Sequence, residues 1–301
     1  MTTNTLLVLV LGLAAAGGPP PEAAVTAVKV AEVPGYTEGA VVGADGSVYV
    51  SDVYHGTIYR VGADGRAEVW ARTPAPNGHK ILPDGTHLVC DGKEHAVLRL
   101  DAGGRVTGKA ASEYDGKPLR APNDLTLDPR GGFYFTDPGG SSAEKPIGTV
   151  HYVDARGVVH LVAGGLAFPN GIALRPDGRT LLVGESKRNR VLSYELVAPG
   201  KAGRMRVLAE LPAKGEGQIA NEPDGMCLDG EGNLYVAHYG MRQVQVVSPE
   251  GKILRRYGAG NLTTSNVAFG GPRRDQLYVT GALADEKTSP GGLFRLDLKR
   301  K

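Results

Sequence analysis

Six oxygen-bearing side chains recur at one position of a repeated nine-residue phrase, and they are the residues of this chain best suited to chemistry. Each phrase begins with Glu, Asn or Asp, usually continues with glycine, and runs through apolar residues into a turn. The first positions lie 39 to 54 residues apart, a period typical of β-propellers. The copies are EGAVVGADG from Glu38, NGHKILPDG from Asn77, NDLTLDPRG from Asn123, NGIALRPDG from Asn170, DGMCLDGEG from Asp224 and NVAFGGPRR from Asn266.

Repetition places equivalent residues at equivalent points in space, so we expect the six first residues to form one ring. In a propeller the first strand of each blade lines the central tunnel, which puts this ring at one mouth of the tunnel. Two carboxylates and four amides offer only oxygen ligands, and such ligands suit Ca²⁺. Mg²⁺ and Mn²⁺ are alternatives, whereas an oxygen-only set disfavours Zn²⁺. Each of these residues alone would be interpreted as a turn residue, but six at one phase favour a metal site.

The strands that must position this ring follow each phrase. They are short, rich in β-branched and aromatic residues, and separated by Asp-Gly or other glycine-containing turns, which is typical of antiparallel hairpins. We predict an all-β, six-bladed β-propeller with four antiparallel strands in each blade. The sixth copy has three strands before the chain ends, so we expect the N-terminal strand 25–33 to complete it and close the ring. The predicted blades are 38–72, 77–111, 123–163, 170–211, 224–259 and 266–298.

A second set of polar residues lies where the second strands end. Two interpretations are open: these residues form an outer shell around the site, or they bond to turn amides at the ends of their strands. The histidines show no close metal-ligand spacing, and the chain has no nucleophile elbow, P-loop or dinucleotide fingerprint. The members of the set are Asp52, Asp91, Asp137, Glu185 and His238.

The composition of the chain argues against two kinds of partner, nucleic acid and acidic membranes. A formal net charge of +2 gives no strong field that would recruit nucleic acid or an acidic membrane surface. Cys90 and Cys227 fall in repeats on opposite sides of the ring, so we expect both to be unpaired.

The N-terminus predicts export. The apolar run from Leu6 to Ala16 is too short to span a bilayer but fits the core of a signal peptide. We therefore assign residues 1–22 to a signal peptide or disordered start and residues 23–301 to one propeller domain. The protein is expected to be periplasmic or secreted, or cytoplasmic if the run is not a signal. Oligomeric state is not readable from the sequence.

The repeats resemble the gluconolactonase/regucalcin/luciferin-regenerating family of six-bladed propellers. The resemblance is carried by EGAVV, RAPNDLTLDPRGGFYFTD, FPNGIALRPDGRTLLVGES and NEPDGMCLDGEGNLYVAHYG, and it extends from Glu38 to the end of the chain. It is strongest to the bacterial branch that includes the staphylococcal drug-responsive lactonase, and weaker to the paraoxonases.

The resemblance implies Ca²⁺, or another divalent ion, held by Glu38, Asn170 and Asp224. It places Asn123 at the metal or the substrate, and makes the neighbouring Asp124 a candidate ligand of a second structural ion. Sugar-lactone members have an arginine two residues before Asn123, where this chain has Ala121, with Arg120 one residue further back. The paraoxonases have a catalytic histidine at the position where this chain has Asn77. Because that histidine is missing, a histidine mechanism is not expected here.

The resulting hypothesis is hydrolysis of a small-molecule lactone at the tunnel mouth. Asp224 is the candidate general base, and Asn77, Asn123, Arg120 and Asn266 are candidate substrate-binding residues. Two other classes remain open: a non-catalytic binding platform with a structural ion, and an aryl-ester or phosphotriester hydrolase that uses the same site.

Overall fold

The computed structural model describes residues 18–299 and arranges them as six four-stranded antiparallel sheets, with one additional short hairpin. Strands are numbered in chain order, and two single 3₁₀ turns lie at Glu22–Ala24 and Ser186–Arg188. The predicted all-β propeller with four strands in each blade is confirmed.

Blades one to three are built from the following strands. Blade one contains β2 (Thr37–Val42), β3 (Val48–Asp52), β4 (Thr57–Val61) and β5 (Ala67–Arg72). Blade two contains β6 (Pro76–Ile81), β7 (His87–Asp91), β8 (Ala96–Leu100) and β9 (Val106–Ala111). The hairpin β10 (Glu113–Tyr114) and β11 (Lys117–Pro118) precedes blade three, which contains β12 (Leu125–Asp128), β13 (Gly132–Asp137), β14 (Gly148–Val153) and β15 (Val159–Leu166).

Blades four to six follow the same plan. Blade four contains β16 (Pro169–Leu174), β17 (Thr180–Glu185), β18 (Arg190–Ala198) and β19 (Lys201–Glu210). Blade five contains β20 (Glu222–Leu228), β21 (Leu234–Tyr239), β22 (Gln243–Val247) and β23 (Ile253–Gly258). Blade six contains β24 (Thr263–Gly270), β25 (Gln276–Ala282), β26 (Gly291–Asp297) and, from the other end of the chain, β1 (Ala27–Val33).

The N-terminal strand closes the ring as predicted. β1 pairs antiparallel with β26, from Ala27 opposite Leu296 to Val33 opposite Gly291. This pairing removes the edge that β26 would otherwise expose, because an unpaired strand edge is a site for unwanted association.

The core lies between the blades. Within residues 18–299 the buried apolar side chains form six clusters, and each cluster is shared by two consecutive blades. The seam between blades six and one, for example, contains Ala31 and Leu293 on one side and Val48 and Val50 on the other. Each blade is therefore stable only against its neighbours, as expected of repeat proteins.

The hairpin turns follow from their sequences. In the first phrase Gly46 adopts a φ of 82°, a left-handed conformation that glycine reaches without steric cost. The Asp45 carboxylate accepts a hydrogen bond of 3.0 Å from the Ser47 backbone N–H, which fixes the turn that joins β2 to β3.

The apolar run Leu6–Ala16 lies outside the described residues, so the signal peptide stays a prediction. The first described residues contact the outer strand of blade five. Tyr257 donates to the carbonyl oxygen of Pro20 at 2.7 Å, and the Arg256 backbone N–H donates to the Glu22 carboxylate at 2.7 Å. No helix within residues 18–299 has the length and apolar character needed to cross a membrane.

We expect Leu293→Ala to lower the free energy of unfolding by about 2–5 kcal/mol, because it leaves a cavity at the seam that closes the ring. Leu293 is 1% exposed. The matched control is Val28→Ala on the adjoining β1, whose side chain is 47% exposed and should change stability by less than about 1 kcal/mol. Urea unfolding measures both, and equal effects would contradict the assignment of the core to this seam.

Candidate active site at the tunnel mouth

The six innermost strands meet around the axis of the ring. Each of them contacts the innermost strands of both neighbouring blades. Five of the six phrase-starting residues lie on these strands. The sixth, Asn123 of blade three, lies two residues before its strand begins. The strands concerned are β2, β6, β12, β16, β20 and β24.

Irregular pairing occurs at the phrase-starting residues. In five blades the register between the first and second strands shifts at or beside this residue. A bulge of this kind re-aims a side chain and is common beside active sites. In blade three β12 starts only after Asn123 and Asp124, which still bond to Thr136 through the backbone at 2.9 Å.

The glycine after the phrase-starting residue makes close approach of neighbouring blades possible. A Cβ atom on Gly39 would collide with the carbonyl group of Asn77, and one on Gly171 would collide with the carbonyl group of Asp224. Gly78 donates a backbone hydrogen bond of 2.8 Å to the Asn123 carbonyl oxygen. The Glu-Gly, Asn-Gly and Asp-Gly pairs are therefore contact points between blades, not the hairpin turns that such dipeptides usually mark.

Three buried carboxyl groups come near one another at this end of the tunnel. Glu38, Asp124 and Asp224 are 3%, 1% and 5% exposed. Glu38 accepts hydrogen bonds from the Tyr36 hydroxyl at 3.3 Å and from the Asn266 amide at 3.5 Å.

Burial and mutual repulsion disfavour the charged forms of these groups. Burial, together with the charge of Asp124, raises the pKa of Glu38 to about 8. Burial and then the charges of Glu38 and Asp124 raise the pKa of Asp224 well above its usual range. Burial also raises the pKa of Asp124, and the Lys80 ammonium opposes that shift. Protein groups alone therefore do not satisfy this cluster in its charged form.

Two oxygen atoms of these carboxyl groups, Oδ1 of Asp224 and Oδ2 of Asp124, are buried without a hydrogen-bond partner. The same holds for the amide oxygen of Asn77. Orphaned buried acceptors beside repelling carboxylates fit a hard divalent cation with oxygen ligands. Within residues 18–299 no three His, Cys, Asp or Glu side chains come close enough to hold a metal ion by themselves. A site here would thus combine carboxylates with the amides of the other blades.

The remaining candidate residues lie in different surroundings. Asn170 is buried and its carbonyl oxygen accepts a hydrogen bond of 2.8 Å from Thr136, while Asn77 and Asn123 are partly exposed. Asn266 is buried against Glu38. Arg120 is exposed and directs its guanidinium to the carbonyl oxygen of Ile147, in the loop of its own blade. The structure thus places the phrase-starting residues on or beside adjacent innermost strands, whereas the Arg120 guanidinium bonds to the Ile147 carbonyl oxygen.

The four carboxylates at the ends of the second strands bond to nearby turns, which confirms the second of the two interpretations for these four residues. Each of the four carboxylates accepts a hydrogen bond from a backbone N–H of a neighbouring loop. The ring of His238 bonds to the side chain of Asn189 at 2.9 Å. These groups support the loops around the mouth. The bonds are Asp52 to His55, Asp91 to Ala75, Asp137 to Ala121, and Glu185 to Ala167.

The sequence did not predict a group of tyrosines beside Glu38, which begins with Tyr36. The Tyr36 ring lies 6.0 Å from the Tyr54 ring. The hydroxyls of Tyr54 and Tyr239 donate to the two carboxylate oxygens of Glu286 at 3.1 and 3.0 Å. Glu286 belongs to an unpatterned loop of blade six, and no spacing rule links it to tyrosines of blades one and five.

Lys80 was also missed as a site residue. It lies on β6, three positions after Asn77, and its Nζ atom is 4.0 Å from Oδ1 of Asp124. The phrase NGHKILPDG carries a cation at a position where the other phrases have Val, Thr, Ala, Cys or Phe, and that departure is the signal that could have identified it.

Comparison with known proteins identifies the family to which the chain is similar. Residues 36–283 match the family model described as the SMP-30/gluconolactonase/LRE-like region, and this confirms the resemblance carried by the repeats. Among solved structures, a gluconolactonase from Xanthomonas campestris superposes with a TM-score of 0.79 at 24% identity, over 93% of this chain and 91% of that chain.

Three curated relatives differ in their named activities. A gluconolactonase of Zymomonas mobilis is 32% identical over 70% of this chain, and the alignment spans only 62% of that relative. A lactonase drp35 of Staphylococcus saprophyticus is 31% identical over 87% of this chain and 82% of the relative. A diisopropyl-fluorophosphatase of Loligo vulgaris is 28% identical over 73% of this chain and 77% of the relative.

We expect Gly171→Ala to destabilise the protein by about 1–3 kcal/mol, because the new methyl group has no room against the Asp224 carbonyl. The matched control is Gly230→Ala, where nothing lies within 4 Å of an added Cβ and φ is not positive. Thermal unfolding compares the two variants. An unchanged melting temperature for Gly171→Ala would contradict the close packing of blades four and five at the mouth.

The loop of blade six offers a second prediction. Glu286→Ala removes both bonds to Tyr54 and Tyr239, so trypsin should cleave faster after the exposed Lys287. Glu216→Ala, in the exposed loop before blade five, is the control and should leave that rate unchanged. Mass spectrometry of the first fragments measures the rate. Equal cleavage of the wild-type and Glu286→Ala proteins would show that these bonds do not hold the loop.

Proposed function

The chain belongs to the SMP-30/gluconolactonase/LRE-like family, and we propose that it is a lactone hydrolase whose active site is the tunnel mouth. We further propose that the site uses a divalent cation, with Ca²⁺ favoured over Mg²⁺ or Mn²⁺ and with Zn²⁺ least favoured. The observation that carries the proposal is the set of buried carboxyl groups with unpartnered oxygens at the centre of the ring. The lactonases among its relatives favour the substrate class.

Glu38, Asn170 and Asp224 would hold the ion, with Asn123 as a fourth oxygen ligand. When bound, a divalent cation supplies a Lewis acid that polarises the ester carbonyl and favours the developing oxyanion. Beside such an ion, Asp224 and Glu38 would be ionised at neutral pH, a state that burial alone disfavours.

Asp224 is the proposed general base. Its carboxylate takes a proton from the water that adds to the acyl carbon, and that proton passes to the alkoxide released as the ring opens. The amides of Asn77 and Asn266 would orient substrate oxygens from the two sides of Glu38. We do not assign Arg120 a direct contact with the reacting ester, because its guanidinium bonds within its own blade.

A second candidate function is phosphotriester hydrolysis at the same site, which the similarity to the Loligo diisopropyl-fluorophosphatase favours. Both reactions need an electrophilic centre beside an oxyanion-stabilising ion, so the same residues could serve either reaction. The binding platform, by contrast, would not need buried carboxylate oxygens without partners. We also keep export to the periplasm or medium as a proposal.

Acid release in a pH-stat, measured on γ-, δ- and sugar lactones and on a phosphotriester, tests the function. Turnover of a lactone that is lost on chelation and regained with Ca²⁺ would support the proposal. Turnover of the phosphotriester alone would favour the second candidate. No turnover, with Ca²⁺ still raising the melting temperature, would leave a binding platform.

Asp224→Asn should reduce kcat at least about a hundredfold, because an amide cannot accept the proton from water. Asp177→Asn, in the exposed turn of blade four, is the matched control and should retain full turnover. Full activity of Asp224→Asn with the ion bound would remove Asp224 as the base.

The chelated protein should lose stability as the pH rises from about 5 to 8. The pKa of Glu38 rises from an ordinary 4.5 to about 8 on folding, so the folded state binds the proton more tightly. The resulting stability is fully present below about pH 4.5 and is lost as the pH rises through about 8. Thermal melts in chelator measure this trend, which Glu38→Gln should flatten and Ca²⁺ should abolish. Chelated wild-type stability that is constant or rising over this range would contradict the account.

A further inference from the structure

Lys80 is a charged residue of the tunnel that the proposed mechanism does not use. It lines a tunnel cavity of about 490 Å³, whose other walls are mainly apolar residues of the innermost strands. Its side chain is 24% exposed. The ammonium donates to its neighbour's carbonyl, that of His79, at 3.2 Å and lies 4.0 Å from Oδ1 of Asp124.

Asp124 is held where only Lys80 offers it a full positive charge among its described contacts. Its Oδ1 accepts the Leu125 backbone N–H at 2.8 Å, while its Oδ2 is buried without a partner. A Cβ atom on Gly78 would press on Asp124, so the glycine of blade two makes room for this carboxylate. Blade three therefore has a carboxylate, Asp124, at the position where four other blades have a glycine. Blade two supplies the cation beside it, Lys80.

Charge balance gives this pair a role. Glu38, Asp124 and Asp224 carry three negative charges when ionised, and Lys80 carries one positive charge, which leaves two negative charges for one divalent cation. We infer that Lys80 is the built-in counter-cation of Asp124 and that it limits the tunnel mouth to a single divalent ion. This inference rests on the proposed metal site, and it assigns Asp124 to Lys80, not to a second metal ion.

A merely structural Lys80 would act differently. Its methylene groups could cover apolar tunnel wall while the ammonium reaches water and the His79 carbonyl, as long cationic side chains commonly do. In that case its charge would have no bearing on metal binding. A charge-neutral variant of similar length, Lys80→Met, keeps the apolar stem and removes only the ammonium.

A double-mutant cycle separates the two roles. Lys80→Met leaves three negative charges, so the metal-free protein should melt at a lower temperature and bind Ca²⁺ at least about tenfold more tightly or take up a second ion. Asp124→Asn leaves one negative charge and should weaken binding by about tenfold. The double variant restores two negative charges and should return both properties close to the wild-type values. Lys80→Arg keeps the charge and is the control for side-chain packing.

Calorimetric titration with Ca²⁺ gives affinity and stoichiometry, and melts in chelator report the pair without metal. One ion per wild-type chain, opposite shifts in the single variants and compensation in the double variant would support the inference. Single variants that match the wild type would overturn it, as would a double variant that melts in chelator at as low a temperature as Lys80→Met. If the wild-type protein binds no divalent ion, the proposed metal site fails, whereas the melts in chelator still test whether Lys80 neutralises Asp124.

Discussion

The close approach of six strands around one axis is the constraint on which the rest of this structure depends. At the points where neighbouring innermost strands come closest, there is no room for a side chain. Gly39, Gly78 and Gly171 meet this constraint by having no Cβ to collide with the next blade. The residue before each glycine is then turned inward by a bulge. The same packing that closes the circle of blades therefore also directs the phrase-starting residues toward the mouth of the tunnel.

This geometry buries ionisable groups together at a cost in stability. Glu38 and Asp224 are buried, and burial together with the charge of neighbouring carboxylates raises the pKa of both groups. Such carboxylates are tolerated only where the surrounding fold holds them in place. The six apolar seams between blades provide that support. A divalent cation would be attracted by the carboxylates that otherwise repel one another. Two of their three negative charges would balance the ion, and Lys80 neutralises the third, that of Asp124.

Much of the fold could be predicted because each blade repeats one local pattern. The blade boundaries and the closing strand followed from phrase spacing and from an unclaimed strand near the N-terminus. The reason for the glycines could not be predicted, since Asn-Gly reads as a turn and only the structure shows the neighbouring carbonyl. Glu286, Tyr54 and Tyr239 meet across three blades without any shared sequence pattern, and the backbone bonds of Asp137 depend on a loop whose path the sequence does not specify.

The most direct test of the account is to locate the ion. Crystals soaked in Mn²⁺, in place of Ca²⁺, would give anomalous scattering from the bound metal. The account predicts one peak at the tunnel mouth, liganded by Glu38, Asn170 and Asp224, and no peak between Lys80 and Asp124. A crystal with no peak among these residues at saturating Mn²⁺, or with its ion bound elsewhere in the propeller, would contradict it.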